Sequence, residues 1–130
     1  MTTSGLAAAL RACAAGLYPL EAGAGLLIAH DVFLRRGDFT DRFIRHGISI
    51  TDGATEMAEI DWDAAITALE AGELPRSGGE RRILRLAASL AAGVPVNLRD
   101  ALTGLDDRNL ALALSSFAHA SGQRPPHLKP

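Results

Sequence analysis

Arginine, serine and glycine meet once in this chain at a density that could handle an anion. The stretch is Leu74-Pro75-Arg76-Ser77-Gly78-Gly79-Glu80-Arg81-Arg82-Ile83-Leu84-Arg85. Small residues at a helix start leave backbone amides open, and the helix dipole adds partial positive charge there. Arg76, Arg81, Arg82 and Arg85 add full charges, and a guanidinium matches phosphate or carboxylate through two parallel hydrogen bonds. The candidate anion-binding residues are therefore Arg76, Ser77, Gly78, Gly79, Arg81, Arg82 and Arg85. The same residues also have a purely structural account. Ser77-Gly78-Gly79-Glu80 has the S-x-x-E form of a capping box, in which serine and glutamate satisfy the free amides reciprocally. Glu80 further offsets the local positive charge, and the arginines are then a solvated basic face.

Two other sets carry chemistry-bearing side chains. His30, Asp31, Asp38, Asp41 and His46 are metal-competent, but their spacing fits no metal motif. Adjacent helical residues such as His30 and Asp31 do not face each other. The expected role is a polar patch on the exposed end of a helix, satisfied by neighbours. Asp52, Glu56, Glu59, Asp61 and Asp63 form an acidic run. It lacks the pattern of a calcium loop, and Asp61 and Asp63 suit the cap and first turn of a helix. Cys13 stands alone without a flanking base, as a small core residue does. No catalytic residue, metal site or cofactor is expected.

The elements that must position these residues read as helices. Of 130 residues, 48% are hydrophobic, 22% charged and only 5% aromatic. The core must then come from leucine, isoleucine, valine and many alanines, and alanine favours helix. One helix is expected from Gly5 to Ala15 with Ser4 as cap. A second starts at Pro19 and runs to Arg35 or Arg36, with Gly37 as stop. Its Ala22–Ala29 part is apolar on all faces, which makes it a central helix. Gly23 and Gly25 there should admit a neighbouring helix closely, and the same half could instead be a dimer seam.

A short helix over 38–44, capped by Asp38, should bury Phe39, Phe43 and Ile44. Ile48-Ser49-Ile50-Thr51 alternates like a strand but has no visible partner, so it reads as an extended connector. Trp62 to Ala71 is the next helix, with Trp62 packed at its start. Gly79 to Ala92 follows, burying Ile83, Leu86, Ala87 and Leu90. Asn97 caps a short helix and Asp106 a longer one to Ala120, whose buried face is Leu110, Leu114 and Phe117. His119 and His127 receive no role.

Short helix, glycine turn and longer helix together invite a helix-turn-helix reading. Asp106 and Asp107 would then meet the phosphates, and only Arg108 and Asn109 could reach bases. A net charge of −2 points the same way, so nucleic acid is not the expected partner. Ser77-Gly78-Gly79-Glu80-Arg81, followed by Ala87 and Leu90, resembles the signature loop and helix of ABC-type ATPases. Thr103-Gly104-Leu105-Asp106 is similar to the segment that closes their nucleotide site. That resemblance would imply nucleotide binding. The chain departs from it by having no G-x-x-x-x-G-K-[ST] phosphate loop and by reading Val96-Asn97-Leu98-Arg99-Asp100-Ala101 where an apolar strand ends in Asp-Glu. From about Leu17 to Gly122 the chain also resembles uncharacterised small actinobacterial helical proteins, which implies no activity.

These readings converge on an all-α, compact single-domain bundle of five to seven helices around a central apolar helix. Residues 1–122 form the domain and 123–130 a flexible tail. The expected role is a non-enzymatic cytoplasmic module acting on a protein partner or as a homodimer, with no membrane span. The alternative is a phosphate- or nucleic-acid-binding accessory protein using the helix start at 76–85. A small metal-dependent enzyme around His30 is a third.

Overall fold

The computed structural model describes residues 2–74 and 77–122. The expected tail at 123–130 and Arg76 lie outside them. Seven helices are present among the described residues: α1 (Thr3–Ala14), α2 (Tyr18–His30), α3 (Gly37–Phe43), α4 (Trp62–Glu70), α5 (Gly78–Ala92), α6 (Leu98–Leu102) and α7 (Asp107–Ala120). Helix α2 packs against α1, α5 and α7, and α5 packs in turn against α4, α6 and α7. No helix among the described residues is long and apolar enough to cross a membrane.

The chain is mostly helical but not all-α. Strands β1 (Ile44–Ile48) and β2 (Glu56–Ile60) pair antiparallel, with Ile44 opposite Ile60 and Ile48 opposite Glu56. Of the expected connector only Ile48 is strand, while residues 49–51 lie in the hairpin loop. Strand β1 begins four residues earlier, at Ile44, and its partner β2 comes from the acidic run. Two strands alone are marginal in water. Here β2 lies against α1, and Ile44, Ala58 and Ile60 are buried. The connecting loop is held by Asp52. Its carboxylate accepts from the amides of Ala54 and Thr55, both at 2.9 Å, and from the Thr55 hydroxyl. These bonds hold the Asp52 carboxyl down at about 2, the Thr55 hydroxyl contributing most.

Helix α2 stops at His30, short of the expected Arg35. Asp31 takes a left-handed conformation with φ 61°, which aspartate tolerates better than most residues. Its amide still bonds the Leu27 carbonyl, and its carboxylate pairs with Arg35 at 2.7 Å. A single 3-10 turn, Phe33–Arg35, follows and drives Phe33 fully into the core. Phe33, Phe39 and Phe43 then stack in series, with ring centroids 5.2 and 5.3 Å apart.

The caps follow the expected chemistry with two shifts in place. Asp61, Asn97 and Asp106 cap α4, α6 and α7 as read. Helix α1 is capped by Thr2 rather than Ser4, and α3 begins at Gly37 without a side-chain cap. Trp62 is buried at the start of α4.

Helix α7 is turned relative to expectation. It buries Asn109, Ala113 and Ser116, while Leu110 is 39% and Leu114 53% exposed. The buried spacing of i, i+4 and i+7 is the expected one, set back by one residue, and Phe117 is only half-buried. Small inward side chains bring the α7 backbone close to its neighbours, which leucines at those positions would prevent.

Candidate functional site

The arginine-rich start of α5 is built as a capped helix. The Ser77 hydroxyl accepts from the Glu80 amide at 3.3 Å. Arg82 folds back over this start and serves the fold. Its Nε donates to the Asp100 carbonyl at 3.2 Å, tying α5 to α6. Its guanidinium lies 3.2 Å from where a Cβ on Gly78 would stand, and 3.5 Å from the corresponding point on Gly104. Gly79 is approached by the Asn109 side chain of α7, 3.5 Å from its missing Cβ. Both glycines thus accommodate side chains from within the protein.

Gly78, Arg81, Arg82 and Arg85 line one open cleft of about 550 Å³ between α5 and the start of α6. Glu70, Asn97 and Asp100 share its walls, so carboxylates stand among the arginines. Ser77 and Gly79 are not on the lining, and Arg76 falls outside the described residues. Arg81 and Arg85 make no ion pair among the described residues. The cleft therefore offers two uncommitted guanidinium groups and one that is engaged.

The metal-competent set is not brought together. No three His, Cys, Asp or Glu side chains among the described residues are placed to hold a metal ion. Asp31 is paired with Arg35 and Asp38 stands 3.6 Å from Arg36. In the acidic run, Asp61 is paired with Arg45 at 2.8 Å while capping α4. The Cys13 thiol is pushed up by burial and by nearby Glu59, away from a reactive thiolate.

His30 overturns the expectation of an exposed polar patch. It is only 5% exposed, and its Nδ1 has no hydrogen-bond partner among the described residues. Burial pushes its pKa down, Arg108 adds to that, and Glu80, Asp106 and Asp31 oppose it. A histidine depressed in the folded state stabilises fully above its unfolded value of about 6.5. That contribution fades as pH falls below this value toward the folded pKa. Replacing His30 with phenylalanine is expected to raise the thermal midpoint and to flatten its fall between pH 7 and 5. A midpoint curve parallel to wild type across that range would contradict this.

The helix-turn-helix reading loses both of its base-contacting side chains. Arg108 donates to the Ala29 carbonyl at 3.0 Å, closing the end of α2. Asn109 is 9% exposed and faces α5.

A second site is assembled from residues far apart in the chain. A groove of about 380 Å³ runs between α1, α2 and α7, walled by Ala22, Gly25, Leu26, Ala29 and Leu112. At one end Glu21 and His119 meet across 98 positions of chain, with Oε1 and Nε2 2.7 Å apart. The other carboxylate oxygen accepts from the Gly16 amide at 2.8 Å. These bonds lower the Glu21 pKa, the Gly16 amide contributing most. His119 is thus not isolated, and Tyr18 meets its ring edge-on at 6.0 Å. Arg11, Ser115 and Ser116 are the other polar residues on the lining, and the Ser116 hydroxyl donates to the Ala113 carbonyl at 2.7 Å. Its one sequence signal is the mid-helix Gly25, where the expected close approach of a neighbouring helix does not occur: a Cβ there meets nothing within 4 Å.

Comparison with protein-family models, with curated proteins and with solved structures finds no match for this chain.

Proposed function

We propose that the protein works without chemistry of its own, by holding another chain against the outer face of α7. One observation carries this reading. Leu110 and Leu114 stand a turn apart on the outside of a helix that buries asparagine, alanine and serine. Full burial of a leucine is worth roughly 1.5–3 kcal/mol, and the fold leaves much of that unused at two adjacent positions. Paired apolar anchors one helical turn apart are what a partner helix or a second copy can cover. The partner is a protein or the same chain.

Sedimentation velocity across a wide concentration range, with cross-linked capture from native lysate, tests this. Leu110→Glu with Leu114→Glu is expected to abolish assembly or capture while leaving the thermal midpoint near wild type. An unchanged assembly state and capture profile in that double variant would overturn the reading.

A second reading is supported by the cleft beside α5, where Arg81 and Arg85 remain unpaired among the described residues. There the protein would bind a phosphate-bearing ligand as an accessory or regulatory factor. Pyrophosphate affinity should then fall with added salt and disappear in Arg81→Ala/Arg85→Ala. Affinity that ignores both salt and the substitutions would remove this reading.

A further inference from the structure

We infer that the groove between α1, α2 and α7 is a binding site for a small apolar monocarboxylate. This does not depend on the α7 docking face, since Leu110 and Leu114 do not line the groove.

Gly25 is the first reason. Glycine inside a helix weakens it relative to alanine. Gly25 lies within α2, has no left-handed backbone, and a Cβ built on it meets nothing within 4 Å. Nothing among the described residues uses the space. Its neighbour Gly23 is the opposite case, pressed against Ala87 and Ala91 of α5. The missing side chain at Gly25 therefore deepens the groove, and an apolar group entering from outside can reach the α2 backbone there.

Size and charge set the ligand class. The volume of about 380 Å³ falls in the range of small-molecule sites, which is roughly 300–1,000 Å³. Glu21 is committed on both oxygens, to the Gly16 amide and to His119. The uncommitted charge on the lining is Arg11, in the last turn of α1, which makes no ion pair among the described residues. The Ser115 hydroxyl, on the α7 wall, makes no hydrogen bond among them either. Apolar walls with one free guanidinium and one free hydroxyl suit an apolar body ending in a carboxylate.

Decanoate is the probe, with 1-decanol as its uncharged counterpart, titrated into the full chain and followed by amide chemical shifts and calorimetry. Decanoate is expected to move the amides of 22–29 and 112–119 in a saturable way. Arg11→Gln, a surface change, should weaken it about tenfold, the worth of one charge-assisted hydrogen bond. Gly25→Leu should fill the groove and abolish binding, with a thermal midpoint no lower than wild type. Equal affinity for decanol, indifference to Arg11→Gln, or no saturable shift at millimolar decanoate would each overturn the proposal. So would ligand-free contacts from residues 123–130 into the groove, or groove shifts that grow with protein concentration. Those two results would assign the space to the chain's own end or to a second copy.

Discussion

Gly23→Ala is expected to destabilise the protein by roughly 2 kcal/mol, whereas Gly25→Ala stabilises it by about 0.5–1 kcal/mol. The two positions lie two residues apart in α2 and have the same intrinsic preference for alanine. They differ in what surrounds them. A Cβ at Gly23 would stand 2.5 Å from the Ala87 carbonyl and 2.6 Å from the Ala91 Cβ. The first of these is backbone, so α2 and α5 must separate to admit a methyl group. Close-packed interiors transmit such a shift instead of absorbing it. The gain in helix propensity only partly offsets it. At Gly25 the methyl enters open space and the propensity gain stands alone. Urea unfolding of both variants checks this, and a stability change of the same sign in both would refute it.

The second large effect lies on α7. Ala113→Leu should cost roughly 1–3 kcal/mol, because Ala113 is fully buried in the helix face packed on α2 and α5. Leu114→Ala should cost less than about 1 kcal/mol, where a leucine in a packed core would cost 2–5 kcal/mol. Apolar periodicity alone predicts the reverse order, since Leu110, Leu114 and Phe117 make the more hydrophobic stripe. Equilibrium denaturation of the two single variants separates the alternatives. A loss above 2 kcal/mol in Leu114→Ala would mean that α7 is turned the other way.

Local chemistry is legible where its cause is local. Asp61, Ser77, Asn97 and Asp106 cap the helices they precede, because a cap needs only its own side chain and the amide two or three residues on. Pro19 and Glu21 mark the start of α2 for the same reason. The hairpin was not legible. Glu56, Met57 and Ala58 favour helix intrinsically, and β2 exists because α1 covers it and Ile44 pairs with Ile60. Strand formation depends on such context more than on backbone preference. The end of α2 is not legible because Asp31 adopts a left-handed backbone that its identity permits but does not demand.

The arginine cluster was legible as a composition and only partly as a site. Arg81, Arg82 and Arg85 do share a cleft, yet Arg82 turned out to be a tie between α5 and α6. Which arginine is engaged depends on the Asp100 carbonyl, 18 positions away. His30 shows the same limit in reverse. Its burial follows from how the end of α2 sits among its neighbours, not from the residues beside it.

A mostly helical chain, most of the helix starts and the residue types available for binding are legible along the chain. These follow from interactions spanning one or two turns. Packing sets the hairpin, the rotation of α7, the burial of His30, the pairing of Glu21 with His119 and the groove above Gly25. Each depends on groups far apart in the chain that meet only when helices pack, and close packing chooses faces by volume as well as by hydrophobicity. Small residues turned inward on α7 left leucines outside, and one of two neighbouring glycines closed a contact while the other opened a space.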